Sequence, residues 1–141
     1  MTTVIDTNIL IALTRPDDVH REWATEQVAK RQAVGPMLVT DIVYSEFSIA
    51  LSTQEQVDTT LSQLGFERVG SGNADLFIAG KAFRKYKTEN SGPKVNVLPD
   101  FLIGAFAEAE EVPLLTCNSK DFLGYFQSIK IIAPDASSSP E

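Results

Sequence analysis

The stretch that decides the fold is TVIDTNILIAL, residues 3–13. Residues 3–5 are β-branched and predict a short strand, which ends at the polar residues 6–8. Residues 9–13 are apolar again and predict a short helix. A strand that passes within three residues into a helix indicates an α/β unit, with Asp6 at the carboxyl end of the strand.

The same alternation of strand and helix continues along the chain. Four further short apolar runs, at 36–39, 66–69, 113–116 and 129–132, predict strands, and two helical patterns lie in each interval between the first four strands. Strands that are apolar on both faces are typical of a parallel sheet covered by helices. We therefore expect a three-layer α/β fold, with a mostly parallel five-stranded sheet flanked by helices, in one domain over residues 1–134. The last seven residues, DASSSPE at 135–141, have the composition of a disordered tail.

Composition narrows the class of protein. The chain has 141 residues, of which 43% are hydrophobic, so it can bury a core without disulfides or a structural metal. One cysteine, Cys117, and one histidine, His20, exclude an internal disulfide and a cysteine- or histidine-rich metal site. No apolar run is long enough to span a membrane, and the N-terminus lacks a signal-peptide pattern, so we expect a cytoplasmic protein with no membrane partner. The net charge of −7 disfavours non-specific binding of nucleic acid and favours a partner with basic segments.

Acidic and amide side chains occur near the carboxyl ends of several predicted strands, where open α/β sheets bind ligands. Asp6 follows the first strand, Glu46 lies in the helix after the second, and Asp100 is in the first turn of the helix before the fourth. Asn118 and Asp121 follow the fourth strand. Each of the first three also has a simpler explanation. Asp6 could be no more than a helix cap, Asp100 could be no more than a complement to a helix dipole, and Glu46 could be solvated surface.

Two of these carboxylates have apolar surroundings in the sequence. Asp6 lies between the apolar segments 4–5 and 9–11, and Asp100 precedes FLIGAFA, a helix apolar nearly all round. A buried carboxylate must be paired, protonated or bound to a metal. If Asp6, Glu46 and Asp100 converge, a divalent cation relieves their repulsion, and carboxylates with water are the ligands of Mg²⁺ or Mn²⁺. The chemistry that this pattern suggests is metal-assisted hydrolysis of a phosphodiester bond.

Several motifs together carry a family resemblance: VIDTN at 4–8, VYSE at 43–46, LPDFLIGA at 98–105, and LLT at 114–116 followed by DF at 121–122. In this order, over nearly the whole chain, they resemble those of PIN-domain ribonucleases, and more narrowly of VapC-type toxins of bacterial type II toxin–antitoxin modules. The resemblance implies a PIN fold, a Mg²⁺ or Mn²⁺ ion, and RNA cleaved by metal-activated water. It also implies a VapB-like antitoxin as partner and a homodimer.

By position, the resemblance makes Asp6, Glu46 and Asp100 the metal-binding, catalytic acids, with Asp6 and Asp100 holding the principal ion. It makes Thr7, Asn8 and Thr116 supporting residues that act through hydrogen bonds.

The chain departs from the family after the fourth strand, where Thr-X-Asp is usual and Thr-Cys-Asn stands at 116–118. Asn118 can ligate through its carbonyl oxygen without bringing a charge, and Asp121 could replace it from the following turn. This departure leaves open whether one metal ion or two are bound.

A basic segment opposes the overall negative charge. Residues 81–94 contain five positive side chains, and Glu89 is the one negative residue among them, which gives a local charge of +4. We predict that the five bind RNA phosphates, with Tyr86 available for stacking on a base; they are Lys81, Arg84, Lys85, Lys87 and Lys94. The alternative is a solvated helix end whose cations complement the helix dipole.

Two other functions remain open at this point. An aspartyl-phosphate phosphatase of the haloacid dehalogenase type also has an aspartate after its first strand, but it needs a second aspartate two residues later, where this chain has Asn8. A degenerate, non-catalytic PIN module that only binds RNA or a protein partner is the second alternative, and Asn118 is compatible with it.

Overall fold

The computed structural model describes residues 1–89, 98–122, 124–126 and 128–134. Within them, five short strands form one parallel sheet in the order β3-β2-β1-β4-β5. The strands are β1 (Thr3–Ile5), β2 (Met37–Val39), β3 (Glu67–Arg68), β4 (Leu114–Leu115) and β5 (Ile131–Ile132). The α/β fold with a five-stranded sheet is confirmed, and every strand pair in it is parallel.

Two helices separate each pair of successive strands from β1 to β4, as predicted. They are α1 (Thr7–Thr14), α2 (Arg21–Gln32), α3 (Asp41–Ser48), α4 (Gln54–Leu64), α5 (Asn73–Glu89) and α6 (Leu98–Glu110), and a 3₁₀ turn (Ser119–Asp121) follows β4. Helix α2 begins at Arg21, after a polar turn. The Asp18 carboxylate accepts the backbone N–H of His20 at 2.8 Å, and this turn delays the helix.

The core lies on both faces of the three central strands. Val4, Ile5, Leu114 and Leu115 are fully buried, and helices α1, α3 and α6 contribute apolar side chains around them. The edge strands β3 and β5 are more exposed. This burial explains why the central strands show no alternation of apolar and polar residues.

The strand order reverses direction at β1. The chain moves outward from β1 to β2 and β3, and then returns to place β4 on the other side of β1. The backbone N–H of Asp6 donates to the carbonyl oxygen of Leu115 at 2.9 Å, which aligns the carboxyl ends of β1 and β4. A crevice at such a reversal is where open α/β sheets bind ligands.

Some predictions fall outside the described residues, namely the tail at 135–141 and the RNA-binding role of Lys94. Among the helices that the structure describes, none combines the length and apolar character needed to cross a membrane.

Candidate metal centre

An open cavity of about 530 Å³ lies at the carboxyl ends of β1 and β4. Four carboxylates from separate segments line it: Asp6, Glu46, Asp100 and Asp121. Thr7 and Asn8, at the start of α1, line it as well. The structure therefore brings together Asp6, Glu46 and Asp100 with Asp121, one of the two residues that the sequence offered after the fourth strand.

Asp6 is 4% exposed and is held by two hydrogen bonds. The backbone N–H of Thr7 donates to Oδ1 at 2.7 Å, and the Thr116 hydroxyl donates to Oδ2 at 2.8 Å. Asp6 is also the N-cap of α1. The helix-capping interpretation of Asp6 is thus compatible with a place in the cavity, because each bonded oxygen keeps a further lone pair.

Hydrogen bonds of Thr116 and Asn8 link the end of β4 to the start of α1, next to Asp6. The Thr116 hydroxyl has one proton, which it directs to Asp6, and it accepts from Asn8 Nδ2 at 3.2 Å and from the Asn118 backbone N–H at 3.1 Å. Asn8 Oδ1 accepts the backbone N–H of Cys117 at 3.0 Å. These bonds set the orientation of the Asp6 carboxylate, as supporting groups do around metal ligands.

Glu46 reaches the cavity from α3, where it is half-buried. The Thr7 hydroxyl donates to its Oε1 at 2.6 Å. Thr7 therefore contacts two acids of the cavity, since its backbone N–H bonds to Asp6 and its side chain bonds to Glu46. This double contact fixes the first turn of α1 against α3.

The cavity disfavours the charged form of its carboxylates. Burial is the main cause that raises the pKa of Asp100 to about 7, and the charges of Asp121, Asp6 and Glu46 add to it. Burial also raises the pKa of Asp6 to about 6, even though the hydrogen bonds from Thr116 and Thr7 act in the opposite direction. Glu46 and Asp121 contribute repulsion here too. The site therefore carries more negative charge than it can solvate.

The donor set fits a hard divalent cation that keeps part of its water shell. Carboxylate oxygens suit Mg²⁺ and Mn²⁺, and Mg²⁺ is usually bound through one or two carboxylates with several retained waters. Among the described residues, no three acidic, histidine or cysteine side chains are close enough to hold one ion by themselves. The residues present thus match a hydrated ion rather than one enclosed by protein ligands.

Asn118 and Asp121, the two alternatives after β4, have different positions. Asn118 is the N-cap of the 3₁₀ turn, where its Oδ1 accepts the backbone N–H of Lys120 at 3.1 Å. It is not one of the described residues that line the cavity, whereas Asp121, at the end of the same turn, is.

Sequence reasoning missed Arg15, which lines the cavity together with Ile11, Ile49 and Ala50. The signal was present, because residues 7, 11 and 15 recur at four-residue intervals and so share one face of a helix.

The predicted RNA-binding side chains lie mainly along α5. Lys81 and Lys85 line a second cavity, of about 480 Å³, between α5, α6 and residues 124–126, and no described residue lines both cavities. The Lys85 ammonium donates to the carbonyl oxygen of Gly124 at 2.7 Å, and the Lys81 ammonium lies 5.1 Å from the centre of the Phe77 ring. Arg84 and Lys87 are exposed on α5. Lys94 lies outside the described residues.

The sequence matches the family model of the PIN domain over residues 3–124, and the chain therefore belongs to the PIN domain family. A search of curated proteins found no match.

Solved structures with the same fold include proteins of toxin–antitoxin systems. A toxin–antitoxin complex from Klebsiella pneumoniae is 27% identical, with a TM-score of 0.62, and the match covers 86% of this chain and 91% of that one. VapBC-1 from nontypeable Haemophilus influenzae is 20% identical, with a TM-score of 0.69 and 94% and 98% covered. VapC20 of Mycobacterium tuberculosis, a toxin that cleaves the sarcin–ricin loop, is 10% identical, with a TM-score of 0.63 and 90% and 98% covered.

Proposed function

We propose that this chain is the toxin of a type II toxin–antitoxin system and acts as a Mg²⁺- or Mn²⁺-dependent endoribonuclease. The observation that carries the proposal is the convergence of Asp6, Glu46, Asp100 and Asp121 on one cavity. Membership of the PIN domain family supports it, as does the shared fold with VapC20, a toxin that cleaves RNA.

The roles of the residues follow from their positions. Asp6, Glu46 and Asp100 would hold the ion, with Asp6 and Asp100 as its principal ligands and Glu46 oriented by Thr7. Asp121 contributes the charge that Asn118 lacks. A bound divalent ion supplies an activated water and stabilises the negative charge that develops on the phosphate. Thr7 and Thr116 orient the Asp6 carboxylate, Thr7 also orients Glu46, and Asn8 donates to the Thr116 hydroxyl.

The proposed partners are an RNA substrate, a VapB-like antitoxin and a second copy of the chain, in the cytoplasm. The acidic surface implied by the net charge of −7 suits an antitoxin with a basic segment, and one structural relative is a toxin–antitoxin complex. The basic side chains of α5, together with Lys94, are proposed to bind RNA phosphates away from the metal-binding carboxylates.

The test uses the chain purified free of any antitoxin and incubated with total RNA, in Mn²⁺ or Mg²⁺ and in a chelator. We expect cleavage only with the metal. Asp6→Asn and Asp100→Asn should each lower the rate at least about 100-fold, because each removes a metal-binding charge. Asp58→Asn, an exposed acid on α4, is the matched control and should cleave like the wild type.

Other outcomes separate the alternatives. RNA that stays intact with every protein and either metal indicates a non-catalytic binding module. Turnover of a small phosphomonoester without RNA cleavage indicates a phosphatase. Cleavage that persists in the chelator, or in both site variants, would overturn the proposed mechanism.

A further inference from the structure

Arg15 is the one basic side chain among the described residues that line the acidic cavity. It directly follows α1 and shares a face of that helix with Thr7 and Ile11. At the helical rise, Arg15 lies about 12 Å along the helix axis from Thr7. Arg15 is the C-cap of α1, and it lines the same cavity as the four carboxylates.

The Arg15 guanidinium is exposed and is not neutralised by the acids of the cavity. In the described part of the chain, the ion pairs join Lys30 to Glu26 and Arg68 to Asp41. A complement to the dipole of α1 would explain a cation at this helix end but not its place in the lining of the cavity. Arg15 is therefore available to an anion that enters the cavity.

The surface beside Arg15 is apolar. Ile49 is 85% exposed, and Ile11 lines the same part of the cavity. A single small anion gains nothing from such a surface, whereas a polynucleotide can place a sugar or base on it while its phosphate meets the cation. The combination of a guanidinium, exposed apolar side chains and four carboxylates fits an extended polyanion better than a free phosphate.

We propose that Arg15 is a positioning residue, which binds the phosphate next to the one being cleaved in a single-stranded RNA. This proposal rests on the proposed nuclease function. The planar guanidinium forms two parallel hydrogen bonds with phosphate oxygens. This contact holds the strand in register, so that the next phosphate lies over the carboxylates. It also offsets the repulsion between the RNA backbone and the four acids of the cavity.

The test compares Arg15→Gln and Arg15→Lys with the wild type on a short single-stranded RNA oligonucleotide. The matched control is Arg21→Gln, because Arg21 is also exposed and begins α2 outside the cavity lining. KM and kcat are measured with Mn²⁺, and Kd is measured in a chelator over a range of salt concentrations. We expect Arg15→Gln to raise KM and Kd about tenfold, to leave kcat nearly unchanged, and to reduce the salt slope of log Kd by about 0.7, the value of one phosphate contact on a single strand.

Arg15→Lys should restore the salt slope but only part of the affinity, because lysine keeps the charge and loses the paired hydrogen bonds. Arg21→Gln should leave all four quantities unchanged. Suppose that the wild type cleaves RNA. If Arg15→Gln then has the same KM, Kd and salt slope as the wild type, or if Arg21→Gln loses as much RNA affinity as Arg15→Gln, the role of Arg15 is refuted and the nuclease function stands. A fall in kcat alone also refutes it. A wild-type chain that neither binds nor cleaves RNA removes both proposals.

Discussion

Among the described residues, the Thr116 hydroxyl is the side-chain donor to Asp6, the most buried acid of the cavity. Its hydrogen bond to Asp6 Oδ2 favours the charged carboxylate and partly opposes the effect of burial on the Asp6 pKa. Thr116 is itself fully buried, so no water can take over this role without a rearrangement. The residue therefore influences the pH at which Asp6 can bind a cation.

Thr116→Val keeps the shape of the side chain and removes the donor. We expect the pKa of Asp6 to rise above about 6, and the pH at which Mn²⁺ binding is half-maximal to rise by up to about one unit. Thr116→Ser, which keeps the hydroxyl, is the control and should match the wild type. Calorimetric titration with Mn²⁺ between pH 5 and 8 checks this, and identical midpoints for the valine and serine variants would contradict it.

Most residues of the site could be found from the sequence because each stands next to a recognisable strand or helix end. Asp6, Asp100 and Thr116 are examples, and each lines the cavity or bonds to a residue that does. The choice between Asn118 and Asp121 depends on the 3₁₀ turn after β4, which has no clear local signal. Arg15 was missed because its relation to the acids exists only through the face of α1.

At the scale of helices, α6 shows how one small residue sets a contact. Gly104 is buried, and a Cβ placed on it would lie 2.5 Å from Cε2 of Phe126. Phe126 packs edge-on against Phe101, the residue after Asp100. The sequence predicted a helix that is apolar nearly all round after Asp100, and its burial is confirmed. The partner could not be predicted, because Phe126 belongs to a distant segment without a pattern.

A pair of glycine substitutions tests this packing. Gly80, on α5, has open space around its Cα, so Gly80→Ala should raise the free energy of unfolding by roughly 0.5–1 kcal/mol through helix propensity. Gly104→Ala should instead lower it by about 1 kcal/mol or more, because the Phe126 ring must move. Urea unfolding of both variants is the measurement. A Gly104→Ala protein as stabilised as Gly80→Ala would refute the close contact.

At the scale of the whole molecule, the acidic cavity makes stability depend on pH and metal. The folded chain raises the pKa of Asp6 from 3.8 to about 6, so between these values the folded state holds a proton that the unfolded state has released. Stability from this residue is therefore present below about pH 4 and is lost as the pH rises past about 6. A bound cation reverses the effect, because it binds the folded carboxylates and not the unfolded chain.

Without metal, Asp6→Asn should be more stable than the wild type at pH 8, by at most about 3 kcal/mol, and the difference should shrink toward pH 4. Addition of Mn²⁺ at pH 8 should raise the Tm of the wild type and not that of the variant. Thermal unfolding in a chelator and in Mn²⁺ measures both. A wild type that gains no Tm from Mn²⁺ would contradict the proposed metal site.

The parallel sheet could be predicted from the apolar strands and the helices between them, but the order of its strands could not. No local pattern specifies that β4 lies beside β1 instead of beyond β3. That adjacency joins Thr116 to Asp6 across 110 positions of the sequence. The site consequently exists only once all the strands are paired. The sequence alone indicates which residues belong to the site but not which of them are in contact.

The late arrival of β4 has a consequence during protein synthesis. Asp6 is synthesised first, and the groups that complete its surroundings, Thr116 and Asp121, are added to the chain 110 and 115 residues later. Any shorter nascent chain lacks the strand beside β1 and cannot assemble the pocket. Under the proposed nuclease function, a nascent chain that has not yet reached β4 therefore has no assembled site with which to cleave RNA.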